Sequence, residues 1–364
     1  MRHLPTFLRF NPHIAFGATL TLLLGALGAI IFEWLTMPLA WLIGAMIIST
    51  IAALSGVPLK SPGRLRNLMI GVLGIMLGCS FTPDILNNAG QWWQSILSLL
   101  IFIVTLAAIV GIFLNKAANF DPVTAFFSAA PGSFATMAIL GAEMGGDERK
   151  ISLIHSIRIM LTVLVIPFWF RFYHDYVPGG PGDEMALSSI FNFPPKDFII
   201  LTACSLGYPI AKRFNCPASA LLGPMFLSAI AHLTGLTLAT PPSEIINLSQ
   251  LVIGTGLGCR FVGLHVKQVL NTLLLSICVT LFMLGLAATF AYGLEQLIGL
   301  PFTGLWLAFA PGGLAEMTLI SLAMNTDTAF VSTHHLIRMM FLVFIAPLVF
   351  TIIRKQLTTM PKDH

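Results

Sequence analysis

Residues 310–317 read Ala310-Pro311-Gly312-Gly313-Leu314-Ala315-Glu316-Met317. They lie inside a long apolar run, where lipid offers no partner for backbone groups freed by a Pro-Gly-Gly break and where a carboxylate is costly. A break of this kind implies a cavity. At an offset of 180 (310 − 130 = 180) the chain reads Ala130-Pro131-Gly132-Ser133-Phe134-Ala135-Thr136-Met137. Comparing 130–171 with 310–351 at that offset gives 15 identities in 42 positions, which is duplication. Two further pairs follow the same order: Pro38-Leu39-Ala40-Trp41-Leu42-Ile43-Gly44 answers to Pro217-Ala218-Ser219-Ala220-Leu221-Leu222-Gly223, and Leu77-Gly78-Cys79 to Leu257-Gly258-Cys259.

The surrounding composition fixes the class. Of 364 residues 56% are hydrophobic and 9% charged, with a mean hydropathy of +0.88, far from the soluble range. The expected fold is an all-α polytopic membrane protein. Net charge is +4, but the Lys and Arg residues sit in short connecting segments, where orientation in a bilayer accounts for them and nucleic-acid binding is not expected. Met1-Arg2-His3-Leu4-Pro5 has no small-residue cleavage site before the first apolar run, so a retained first span is expected. Cys79, Cys204, Cys216, Cys259 and Cys278 form no Cys-x-x-Cys pair, which suggests neither a zinc site nor a disulfide framework.

Apolar runs place spans at 11–35, 38–55, 62–81, 91–115 and 151–173, with the broken run 121–146 before the last of them. The second half repeats the order at 198–211, 217–233, 245–261, 269–294 and 330–353, with the broken run 301–325. The chain therefore divides into a first membrane repeat at 1–176, a Pro/Gly-rich linker at 177–197 and a second repeat at 198–364. The span at 198–211 is short of the roughly 20 residues a crossing needs unless Lys196, Lys212 and Arg213 snorkel.

Charge decides the topology. If each broken run dips in and returns, each repeat has five crossings, the second repeat is inverted, and 14 Lys/Arg fall inside against two outside, Arg171 and Lys196. If the broken runs cross, the split is 11 to 5, with Lys212, Arg213 and Lys267 stranded outside. The expected architecture is thus two inverted repeats of five transmembrane helices, each with a Pro-Gly re-entrant hairpin, about ten spans in all, with both termini cytoplasmic.

Each tip ends one half-helix and begins another, so N–H groups at Pro131-Gly132-Ser133 and Pro311-Gly312-Gly313 would present partial positive charge suited to an anion. Downstream lie His155-Ser156-Ile157-Arg158 and His335-Leu336-Ile337-Arg338, where i, i+3 spacing puts imidazole and guanidinium on one helical face. Arg158 and Arg338 sit about ten residues into their spans, roughly 15 Å deep at the helical rise. Either they clamp an anionic solute through bidentate bonds, or they cap the carbonyl ends of the hairpins. Asp147 and Asp327 occupy matched positions eleven residues before these arginines, suited to capping the final helices or to coupling. Glu316 has Thr136 as its counterpart and breaks the symmetry; just past the break, it suits a proton or cation coupling role.

The two Pro-Gly-[Gly/Ser] hairpins, the Pro-x-x-x-Leu-[Ile/Leu]-Gly helix starts and an arginine following each Asp resemble the AbrB membrane protein family over nearly the whole chain. The resemblance implies a duplicated bacterial inner-membrane protein, linked to regulation of aidB expression and also carrying an ammonia monooxygenase label. This chain departs from the pattern in having Ser133 where a second glycine is expected. The organisation is similar to that of the glutamate and citrate/sodium symporters, a fold-level analogy that assigns no substrate. An unrelated soluble DNA-binding regulator shares the AbrB name, and this composition excludes it. A monooxygenase needs a metal centre, and His155, His334 and His335 offer no convergent ligand set, so neither catalysis nor a cofactor is expected.

The function expected is secondary transport of a small anionic solute by alternating access around the hairpin tips, coupled to a proton or Na⁺. The alternative is a membrane-embedded sensor or regulator of gene expression that binds without transporting. The longest hydrophilic stretch, 176–197, is no output module, which favours transport. Expected partners are the lipid bilayer, the solute with its coupling ion, and a second copy of the chain in a homodimer.

Overall fold

The computed structural model describes residues 12–83, 90, 92–132, 134–173, 190–216, 218–264 and 266–359. Ser133, Pro217, most of the linker and both chain ends (1–11 and 360–364) lie outside the described residues. Among those described, every regular element is helical. Five helices hold stretches long and apolar enough to cross a membrane, at Phe16–Trp34, Trp93–Lys116, Glu148–Tyr173, Thr272–Ile298 and Thr328–Ile345. On the first two, Phe16, Leu23, Leu27, Trp34, Trp93, Leu97 and Ile101 stand exposed, as side chains facing lipid do.

The chain folds into two compact units, each drawing on both halves of the sequence: 1–79 with 177–266, and 80–176 with 267–364. The division at the linker is one of chain order, and the compact units cut across it.

The first unit contains α1 (Pro12–Trp34), α2 (Ala40–Leu54), α3 (Gly63–Cys79), α8 (Pro195–Cys204), α9 (Gly207–Arg213), α10 (Ser219–Leu233) and α11 (Ser243–Gly258). Glycine lets its helices touch backbone to backbone. A Cβ on Gly28 would collide with the Gly44 carbonyl, and one on Gly207 with the Gly223 carbonyl. Between the halves the contacts are reciprocal. Gly74 of α3 packs on the Leu221 carbonyl of α10, and Gly254 of α11 on the Leu42 carbonyl of α2. Gly78 meets Ser228, and Gly258 meets Ser49. The short run expected as one span at 198–211 is instead two helices, α8 and α9. Pro209 has no N–H to donate to Ser205 four residues back, so the ladder lapses there. Leu39 (φ 48) and Ala218 (φ 49) precede α2 and α10 in the same left-handed conformation.

The second unit contains α4 (Trp93–Lys116), α5 (Pro122–Ala129), α6 (Phe134–Glu143), α7 (Glu148–Tyr173), α12 (Val266–Ile298), α13 (Phe302–Phe309), α14 (Leu314–Ala323) and α15 (Thr328–Thr359). Each broken run is two short helices about a Pro-Gly turn, and both arms pack on the helix that follows: α5 and α6 on α7, α13 and α14 on α15. Asp121 starts α5 by accepting the Thr124 N–H with Pro122 at the first helical position. Glu295 does the corresponding work for α13, where Pro301 replaces the aspartate, by accepting the Phe302 N–H at 3.0 Å. Aromatic rings fill the spaces: Phe102 against Phe309 at 5.3 Å, and Trp169 edge-on to Trp306 at 4.6 Å.

Candidate functional site

Proline determines what each tip requires. Pro131 and Pro311 have no N–H, so the carbonyls four residues earlier, Phe127 and Leu307, lose their helical partner. In lipid or a dry interior such a carbonyl must be served by something else. His155 Nε2 lies 2.9 Å from the Phe127 carbonyl, and His335 Nε2 lies 2.9 Å from the Leu307 carbonyl. A carbonyl only accepts, so each Nε2 carries the proton. Both imidazoles are fully buried.

One turn further along α7 and α15 come the arginines. Arg158 donates from Nη1 to the Ala130 carbonyl at 3.3 Å and from Nη2 to the Gly132 carbonyl at 3.4 Å. Arg338 makes the same two bonds to Ala310 and Gly312. Ala130 and Ala310 follow directly on the C-termini of α5 and α13. The guanidinium therefore sits where the dipole of the first arm is negative and carbonyls are orphaned, a place suited to a fixed cation with a planar fork. Both arginines are buried. The structure thus places both histidines and both arginines on hairpin carbonyls.

The tips are backed by methionine. A Cβ on Gly132 would come within 3.0 Å of the Met137 side chain, and one on Gly312 would crowd Met317 in the same way. Pro131, Pro311, Gly312, Met137 and Met317 are buried, and Gly132 is half-buried.

Asp147 and Asp327 lie at the exposed starts of the final helices. Asp147 Oδ1 accepts from the N–H groups of Arg149 at 3.0 Å and Lys150 at 3.2 Å, and Asp327 Oδ1 from that of Phe330 at 2.9 Å. Both are helix caps. The Asp147 N–H also donates to Thr124 Oγ1 at 2.8 Å, tying the end of the first hairpin to its beginning.

Glu316 differs from all of these. It is the third residue of α14 and only 5% exposed, the only buried carboxylate among the described residues. A Cβ on Gly313 would collide with its Oε2, so the carboxylate folds back over the glycine that opens the helix. No side-chain hydrogen bond or ion pair joins it to a described residue. The corresponding residue on the first hairpin, Thr136, is half-buried.

Sequence reasoning did not find the histidine–carbonyl bonds. Their signal was present, since proline and histidine are 24 residues apart in both halves (155 − 131 and 335 − 311). It also left His334 without a partner. His334 turns away from the hairpin: its Nδ1 lies 2.8 Å from the Phe330 carbonyl and its Nε2 lies 2.9 Å from Ser95 Oγ on α4. Among the described residues, no group of three or more His, Cys, Asp or Glu side chains could hold a metal ion.

The chain is 26% identical over 344 residues to "Uncharacterized protein YhjN" of Bacillus subtilis, covering 89% of this chain and 90% of that protein. It is 25% identical over 318 residues to "Putative regulator AbrB" of Escherichia coli, covering 85% of this chain and 89% of that protein. The family model described as "Transition state regulatory protein AbrB" matches residues 41–354, which include both hairpins, all of α7 and most of α15. The chain belongs to the AbrB family.

Proposed function

We propose that this AbrB-family protein is a secondary transporter of the bacterial inner membrane that moves a small anionic solute by alternating access around the two hairpin tips, coupled to a proton or Na⁺. In this reading the two halves are inverted repeats of five crossings, each with a re-entrant hairpin, both termini are cytoplasmic, and the chain binds and moves its solute without catalysis. One observation carries the proposal. At both tips the carbonyl end of the first arm is taken up by His and Arg of the following helix, while at the second tip the second arm, α14, begins with N–H groups that no helical carbonyl serves and no side chain caps. The fixed cations thus sit on the negative end of one half-helix, and the positive end of the other remains for a ligand of opposite charge. Interrupted helices of this kind are how transporters bind anionic groups at membrane depth.

The test starts with purified protein screened for thermal stabilisation by small carboxylates, phosphate and sulfate, with and without Na⁺. A ligand at a hundred times its Kd adds about 2.7 kcal/mol to stability. Any stabilising anion is then offered to proteoliposomes under a proton or Na⁺ gradient. Accumulation that is lost in Gly312→Val supports transport, and binding without accumulation refutes it. The second reading, a membrane-embedded regulator using the same tips as a sensor, is favoured by the regulator name of the Escherichia coli relative, and it predicts that second outcome.

A further inference from the structure

Glu316 lies at the N-terminus of α14, where helix N–H groups favour negative charge. The residue is 5% exposed, its carboxylate rests on Gly313, and it has no partner among the described residues. We propose, resting on the transport reading above, that Glu316 is the site of the coupling proton and that its ionised form is a resident anion filling the anion-binding end of the second tip. A solute anion then engages that tip only together with a proton, so the two move in the same direction.

Comparison of the two tips supports the resident anion. Where the second tip has Gly313 and Glu316, the first has Ser133 and Thr136. A Cβ at 313 would overlap the carboxylate where it now rests, so a side chain there requires the carboxylate to move. In the first half the carboxylate is replaced by threonine, and there a residue with a Cβ stands at 133. The glycine and the acid thus behave as one substitution: only the second tip brings its own anion.

The carbonyls around Glu316 favour a proton over Na⁺. A sodium ion at a broken helix is coordinated by unwound backbone carbonyls. Here those of Ala310 and Gly312 accept from Arg338, that of Gly313 accepts from the Met317 N–H, and that of Leu314 accepts from Thr318 Oγ1, which leaves the Pro311 carbonyl alone in the turn without a donor among the described residues, a small part of the oxygen shell a sodium ion takes. A proton needs only the carboxylate: one O–H bond forms, the charge is neutralised, and nothing else is consumed.

The elements packed against α14 are α7, α13 and α15. Their buried titratable or charged groups are His155 and Arg158 on α7 and His334, His335 and Arg338 on α15, while α13 carries none. All five hydrogen-bond to backbone carbonyls. Glu316 is therefore the only buried acid among these described groups.

Dicyclohexylcarbodiimide tests the proton site without any transported solute, because it couples to protonated carboxyl groups in apolar surroundings. With purified protein, mass spectrometry is expected to find the adduct on Glu316. Its yield should fall about tenfold per pH unit once the ionised form predominates, and NaCl should leave it unchanged relative to choline chloride at equal concentration. Absence of labelling at low pH, a yield independent of pH, or protection by NaCl overturns the proposal. Failure of transport would leave this result intact, so the two readings fail separately.

The resident anion is tested by moving the second tip toward the first. Gly313→Ser alone should displace the carboxylate and lower the unfolding midpoint measurably, and Glu316→Thr should suppress that loss in the double variant. Equal losses in both backgrounds overturn the placement. Should Gly313→Ser fail to reach the membrane, Glu316→Asp serves instead: one methylene shorter, it withdraws the carboxylate from Gly313 and should relieve the loss caused by Gly313→Ala.

Discussion

The imidazole of His335 donates to the carbonyl of Leu307 at 2.9 Å, the carbonyl that Pro311 deprives of its helical partner. The bond exists because the proline exists, and the same pair of residues recurs as His155 and Phe127 with Pro131. Removing the imidazole should therefore cost more when the proline is present. His335→Ala leaves a buried carbonyl unserved and should destabilise the protein by about 1–3 kcal/mol. Pro311→Ala returns an N–H and frees Ala310, extended before the proline, to turn helical and aim that N–H at Leu307, so His335→Ala made in that background should cost less. A double-mutant cycle by thermal unfolding is expected to give a coupling of about 0.5–3 kcal/mol. Additive losses would refute the link between the two residues.

The arginines are expected to be intolerant of lysine. Each guanidinium spans two carbonyls on either side of a proline, Ala130 and Gly132 or Ala310 and Gly312. An ammonium is a point charge that cannot reproduce the planar fork. Loss of one charge-assisted bond should make Arg158→Lys and Arg338→Lys less stable by about 1.5–3 kcal/mol. The loss should be local, raising hydrogen exchange at 130–134 or 310–314 before it changes exchange elsewhere. Exchange that rises uniformly along the chain would show that the fork does not hold the tip.

Much of the helical order was legible because lipid forces long apolar runs and tolerates breaks only where a partner serves the backbone. Matched Pro-Gly pairs, histidines and arginines were visible for that reason. What those side chains touch was not. The carbonyl that receives His335 belongs to Leu307, an unremarkable leucine, and its need arises from a proline four residues on. The i, i+3 spacing placed the histidine and arginine on one face but was silent about what lay opposite that face. The interruption of 198–211 was missed because Pro209 was counted as part of an apolar run, although its missing N–H divides that run. The compact units were not legible either. They depend on Gly74 meeting Leu221 and Gly254 meeting Leu42, contacts between residues far apart in sequence.

Those glycine contacts yield a comparative prediction. Gly74→Ala and Gly254→Ala each drive a methyl group into a backbone carbonyl that cannot yield as a side chain can. Overpacking of this kind costs about 1–3 kcal/mol. Gly285 and Gly293 also lie within a helix, α12, but a Cβ on either meets nothing within 4 Å. Alanine there should be neutral or stabilising, by up to about 1 kcal/mol. Thermal unfolding of the four variants in one detergent separates the cases. Equal behaviour of all four would mean that the close approaches do not hold the first unit together.

The inverted arrangement can be tested at residues chosen for their charge environment. Positive residues collect on the cytoplasmic side of short loops, and the proposed topology puts Lys60 and Lys212 on that side, with Gly180 and Glu244 opposite. Lys212 is the discriminating position. With Arg213 it follows α8 and α9, which the proposed topology takes together as the first crossing of the second half, so it faces the cytoplasm only if that half runs in the opposite sense to the first. In a variant whose five native cysteines are replaced, single cysteines at these four positions would be exposed to an impermeant maleimide in intact cells. Residues 180 and 244 should label from outside, and 60 and 212 only after the membrane is opened. Labelling of residue 212 in intact cells would refute the inversion, and with it the alternating-access reading proposed above.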